Sequence, residues 1–150
     1  MRFLCDEMLA GLGRWLRAAG YDTTLADPGM NDRDLVEWAR AEDRLLLTRD
    51  RRLIEIRGAT DHAIVLLGNG IDACAAELRA RIGLDWRYRP FSRCLVCNAL
   101  LENAGEHLRS RLPERARALP GPLTVCPACG RLYWPGSHVR RMRRRLASFG

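Results

Sequence analysis

Leu45-Leu46-Leu47-Thr48-Arg49-Asp50 is the stretch on which the fold reading turns. Three consecutive leucines read as a short strand, and the strand ends abruptly in Thr-Arg-Asp. The same grammar opens the chain, where Arg2-Phe3-Leu4-Cys5 runs into Asp6-Glu7. Leu9, Leu12, Leu16 and Ala19 then recur at helical spacing, and Gly20 follows where a helix-ending glycine belongs. Tyr21 to Ala26 reads as a second strand and Asp27-Pro28-Gly29 as a turn. A helix begins near Asn31-Asp32 with Leu35, Val36 and Ala39 on one face. Beyond Asp50 come a short helix holding Leu53, Ile54 and Ile56, a strand from Ala63 to Leu67, and a Gly68-Asn69-Gly70 turn. Asp72 is placed to cap a helix running to Arg81. Strands alternating with helices imply an α/β fold with a mainly parallel sheet flanked by helices.

The periodicity fades over residues 83–93, which divides the chain into 1–90 and 91–150. Charge divides at the same place. All 25 basic residues are arginine; 14 of them face 15 acids in residues 1–90, and 11 face only Glu102, Glu106 and Glu114 in residues 91–150. The whole excess of +7 therefore lies in the last 60 residues, a split that suits a polyanionic partner for that half. The absence of lysine points to codon bias, so arginine identity by itself carries no weight. No apolar run approaches the ~20 residues of a membrane span, and the opening residues lack the apolar stretch of a secretory signal. The expected location is the cytoplasm, with no membrane partner.

Cysteines follow the division too. Cys94 and Cys97 form one C-x-x-C pair and Cys126 and Cys129 another, whereas Cys5 and Cys74 stand alone in apolar surroundings as core residues. Two such pairs in a reducing compartment read as a tetrahedral thiolate site for zinc, closed by four ligands and therefore structural. The 28 residues between the pairs exceed the roughly 15–20 usual for a zinc ribbon. They leave room for a loop or a short helix over residues 102–117.

In a parallel sheet the residues just beyond the strands' C-terminal ends gather along one edge. Asp6 follows the first strand and Asp50 the third, and Asp32 opens a helix on the same rim with Asp34 two residues on. Converging carboxylates repel one another, and a hard divalent cation such as magnesium or manganese removes that cost. Each acid also has a plainer reading, Asp6, Asp32 and Asp50 as helix caps and Asp34 as a first-turn acid. The constellation, rather than any one acid, is the signal.

Asp6, Gly13-Arg14-Trp15-Leu16-Arg17, Asp32-x-x-Leu35, Leu46-Leu47-Thr48-Arg49-Asp50, both C-x-x-C pairs and Gly130-Arg131-Leu132-Tyr133-Trp134-Pro135-Gly136-Ser137-His138 together resemble the PIN-like ribonuclease family named for the C-terminal domain of the mutator-seven exonuclease. The resemblance covers nearly all of the chain. It implies a PIN-like nuclease domain over 1–90, and a zinc ribbon with a basic C-terminal helix over 91–150. It carries the acidic-site role onto Asp6, Asp32 and Asp50 as holders of catalytic magnesium or manganese. Where many PIN nucleases have a further acid, Arg51 and Arg52 follow Asp50, which leaves Asp34 or Glu7 for a fourth position.

Val139, Met142 and Leu146 fall at helical spacing, which leaves five arginines to fan outward between them. Arginine forks match phosphate. Arg14, Arg49, Trp134, His138, Arg140, Arg141 and Arg144 are the candidate RNA contacts, with Tyr133 beside Trp134 as a second stacking surface. Arg17 and Trp15 are further candidates for a substrate channel, though Trp15 reads more readily as core, since it neighbours the apolar stripe. The expected function is a metal-dependent endoribonuclease whose zinc ribbon helps to hold RNA. Two alternatives are a non-catalytic zinc-ribbon RNA-binding protein and a toxin-like nuclease whose acidic edge an inhibitory protein partner masks.

Overall fold

The computed structural model describes residues 1–150. Four strands, β1 (Arg2–Cys5), β2 (Asp22–Leu25), β3 (Leu45–Thr48) and β4 (Ala63–Val65), form a parallel sheet in the order β2-β1-β3-β4. Helices α1 (Ala10–Ala19), α2 (Asp32–Ala41) and α3 (Ile71–Ile82) provide or follow the crossovers. The expected α/β architecture is present, with β2 and β4 shorter than the sequence runs that contain them.

Strand alternation builds two cores from one sheet. Phe3, Cys5 and Leu47 point into the larger core, under α1 and α3, while Leu4 and Leu46 point the opposite way onto Leu35, Val36 and Ala39 of α2. Both faces are covered, as a parallel sheet requires. α1 approaches closely because Gly13 lacks a side chain: a Cβ there would run into Leu25 and crowd the Cys5 sulfur. Gly20 ends α1 with φ 103°, and its bare Cα admits the backbone of Arg89. That approach is held by Arg89 N–H donating to Ala19 O (2.9 Å) and Phe91 N–H to Ala18 O (2.8 Å). The aperiodic stretch after α3 is therefore a fitted strap, pinned further by buried Trp86, whose indole donates to Ala75 O.

The remaining strands, β5 (Glu102–Asn103), β6 (Thr124–Val125) and β7 (Leu132–Tyr133), make a small antiparallel sheet. Between β5 and β6 the chain forms a 3-10 turn (Glu106–Arg111) and a one-turn helix α4 (Glu114–Arg117), not one continuous helix. Pro113 stands at the break in an extended conformation, with ψ 142°, and it has no N–H to continue the preceding turn. Leu112, Ala116 and Leu123 form a core of their own there.

The last helix, α5 (Ser137–Ser148), returns to the larger core. Leu146 and Phe149 are buried, and Phe149 meets Trp15 and Trp86 edge-on at 5.4 and 5.0 Å. Residues 91–150 thus complete the hydrophobic interior of residues 1–90. No helix is long and apolar enough to cross a membrane.

Candidate active site and metal centre

Asp6 and Asp50 leave neighbouring strands at the same end of the sheet, and Thr48 joins them. Its hydroxyl donates to Asp6 Oδ2 (2.8 Å) and accepts the Asp50 N–H (3.0 Å). Thr48 itself is fully buried, so this link is shielded from competing water. The other Asp6 oxygen accepts from Glu7 N–H (2.7 Å), and Asp50 Oδ1 accepts from Arg52 N–H (2.8 Å). Both acids therefore cap the 3-10 turns that follow them while remaining half-buried at the rim.

Asp32 lies at the first turn of α2, but it is not the cap. Asn31 takes that position, its side chain accepting from Asp34 N–H (3.0 Å) and donating to Asp34 Oδ2 (2.6 Å). Asp34 is consequently committed to Asn31 and exposed, and Glu7 is committed to Gly29 N–H (3.0 Å). Asp32 keeps a carboxylate without a hydrogen-bond partner. Burial, then the charges of Asp50 and Asp6, push its carboxyl above the usual range, which is the electrostatic sign of three acids sharing one region. Their oxygens are spread more widely than the 4.8 Å that encloses the cysteine sulfurs. Magnesium commonly takes one or two carboxylates and keeps several waters, so oxygens this far apart could share one ion only in part through such waters. The all-oxygen donor set is of the kind a hard cation prefers.

The four cysteine sulfurs do converge. All lie within 4.8 Å of one another, with Cys94–Cys129 at 3.7 Å and Cys97–Cys126 at 3.2 Å. A zinc tetrahedron with 2.3 Å arms has edges of about 3.8 Å, so the sulfurs stand close to that shape. Each C-x-x-C turn closes identically: Asn98 N–H donates to Cys94 O and Gly130 N–H to Cys126 O, and both Asn98 and Gly130 adopt positive φ (69° and 72°). Burial works against a Cys94 thiolate, but the Tyr133 hydroxyl and the N–H groups of Cys97 and Val96 outweigh it and bring the thiol down to about 6. Tyr133 is thus engaged as a brace, since its oxygen also accepts Leu95 N–H (2.9 Å). These bonds engage the hydroxyl edge, and the ring is half-buried. Cys5 is different. Full burial, opposed by Arg17, drives its thiol up to about 12.

The first cysteine turn is bolted to the sheet by two residues whose roles the sequence did not announce. Arg17 is buried within α1, and its guanidinium donates to Thr23 O (2.8 Å), Val96 O (2.7 Å) and Leu95 O (3.1 Å). It therefore lines no substrate channel. Asn98 accepts Thr23 N–H (3.0 Å) and donates to Asp22 Oδ1 (2.7 Å), which Arg44 also reaches at 2.8 Å. A charged residue on the buried face of α1 was the available signal for Arg17. For Asn98, it was an amide directly after a cysteine pair.

Of the candidate RNA contacts, Arg14, Arg49, Arg141 and Arg144 are exposed and make no ion pair within the protein. Arg140 donates to Pro135 O (3.0 Å) and steadies the start of α5. The five arginines of α5 do not all fan outward: Arg143 lies over Phe91, and Arg145 pairs with Asp72 (2.8 Å) while stacking on Phe149. Asp72 thus serves α5, whereas Gly70 occupies the cap position of α3. His138 is exposed and Trp134 half-buried.

Comparison with known proteins gives a consistent result. The family model described as Mut7-C RNAse domain matches residues 1–146. An exonuclease mut-7 homolog of Homo sapiens is 33% identical over 104 residues, 65% of this chain but 12% of that protein. The chain thus spans about an eighth of the length of that relative. No solved structure matches the chain.

Proposed function

Because the chain belongs to the Mut7-C RNAse domain family, we propose that this nuclease-like protein is a metal-dependent endoribonuclease acting at the Asp6–Asp32–Asp50 edge. One observation carries the reading: a buried threonine ties two strand-end aspartates together beside a third whose carboxyl feels both charges. Asp6, Asp32 and Asp50 hold magnesium or manganese. When bound, such an ion acidifies a coordinated water and offsets charge on the phosphodiester. Thr48 links the Asp6 carboxylate to the Asp50 backbone, and Asn31 engages the Asp34 carboxylate. Arg14 and Arg49 meet phosphates near that edge. The zinc ribbon, with Trp134, His138, Arg140, Arg141 and Arg144, aids RNA binding from the basic half.

Circular single-stranded RNA tests the reading, since it has no end from which to digest. The zinc-loaded chain with manganese is expected to linearise it, and Asp50→Ala to abolish cutting with RNA affinity equal or higher. Unchanged cutting by Asp50→Ala would refute the site. Cutting of linear but not circular RNA would replace internal cleavage with digestion from an end.

A further inference from the structure

A cleft of about 530 Å³ opens between the second cysteine turn, the start of α5 and the segment joining the 3-10 turn to α4. Its size falls in the range of small-molecule sites. Trp134 supplies a flat apolar wall, packed from behind on the small core of Leu112, Ala116 and Leu123. The indole N–H, beside Gly136, has no partner in the protein and is not wholly enclosed, which leaves it a donor for a ligand. Arg111 and Arg131 also line the cleft, both exposed and neither in an ion pair, and no carboxylate lines it. The wall is fixed from below because Tyr133, next to Trp134, is clamped to Leu95 and Cys94.

An aromatic face, a free donor and two unpaired guanidiniums without any acid form the complement of a nucleotide: a π-surface with a polar edge, carried on an anion. We propose that this cleft captures one unpaired nucleotide of a single-stranded RNA, its base on Trp134 and its phosphate between Arg111 and Arg131. The proposal rests on RNA as the substrate but not on cleavage. It also gives the long spacer between the cysteine pairs a role, because Arg111, Leu112 and Pro113 come from that spacer and build one wall.

The test uses the full zinc-loaded chain without added magnesium or manganese. The probes are uridine pentanucleotides that each carry one 2-aminopurine, whose fluorescence drops on stacking. Wild-type protein is expected to quench at least one probe, and Trp134→Ala to lose that quench and bind about tenfold or more weakly. Trp134→Phe should keep most of it. Arg111→Gln with Arg131→Gln should lower the slope of log affinity against log salt by about 0.7, the share of one neutralised phosphate on a single strand. This pair also decides the matter if the Trp134 variants fail to fold. Quenching that survives Trp134→Ala, a salt slope unmoved by the arginine pair, or equal binding of a duplex would overturn the proposal. So would displacement of the probe by an acidic peptide at equal affinity, which would mark a protein-binding cleft. Quenching as expected in a chain that cuts no RNA would refute the nuclease reading and leave this one standing.

Discussion

Asn98→Ala removes the amide that fastens the first cysteine turn to β2. The hydrogen bond to the Asp22 carboxylate (2.7 Å) is lost, and bonds to charged groups contribute about 1.5–3 kcal/mol each. The Thr23 N–H, in a residue with no exposed surface, loses its acceptor at a cost of about 1–3 kcal/mol. Alanine must also hold φ near 69°, which costs about 1 kcal/mol more than asparagine or glycine does there. Taken at the low end, these terms destabilise the fold by about 3.5 kcal/mol. Asn98→Gly, relieved of the backbone term alone, should lose about 2.5 kcal/mol. With an m-value of about 2 kcal/mol/M, urea unfolding of zinc-loaded protein should show midpoints lower by about 1.75 M for alanine and about 1.25 M for glycine. An Asn98→Gly midpoint within 0.2 M of wild type would refute the claim that the side chain, rather than the turn, makes the joint.

Arg17→Met leaves the carbonyls of Thr23, Leu95 and Val96 without their donor; a loss of about 3 kcal/mol and faster zinc release to a colorimetric chelator are expected. Phe149→Ala empties a site between Trp15 and Trp86 and should cost about 3–5 kcal/mol, with altered near-ultraviolet dichroism if α5 belongs to the main core. Burial raises the Asp22 carboxyl, but hydrogen bonds from Arg44 and Asn98 and the charge of Arg44 outweigh it and bring it to about 2. Its unfolded value is about 3.9. A folded pKa below the unfolded one gives stability that is present above about pH 4 and lost as pH falls toward 2, on the order of 2 kcal/mol. The urea midpoint of wild type should therefore fall more steeply than that of Asp22→Asn between pH 5 and 2.5. Removing zinc should free Tyr133 and change its fluorescence, while the parallel sheet keeps its far-ultraviolet signal.

Short-range chemistry was legible in the sequence. Leu45–Leu47 announced a strand because three leucines have no polar face, and the cysteine pairs announced a four-sulfur cluster able to hold a metal because two intervening residues close a turn. Asp6 and Asp50 could be brought to one rim because parallel strands share a direction. Contacts across 75 or more positions were not legible. Nothing near Asn98 names Thr23 or Asp22 as its partner, and Arg17 read as a charged residue on a helix, although its neighbours in space are backbone carbonyls. Two caps were misjudged: Asn31, not the adjacent Asp32, caps α2, and the last glycine of the turn, Gly70, rather than Asp72, caps α3. The arginines of α5 looked equivalent by spacing, yet Phe91, Phe149 and Asp72 claim two of them from elsewhere in the chain.

The clamp on Thr23 has a consequence for how the molecule meets its own copies. Thr23 turns both its N–H and its C=O away from β1, and Asn98 and Arg17 receive them where another strand would otherwise dock. The cysteine turn thus acts as a surrogate strand that seals one margin of the sheet with side chains. An exposed margin of unpaired peptide groups is a template for self-association. Metal loss that slackens this turn would unseal it, so a zinc-starved chain should clump before it unfolds.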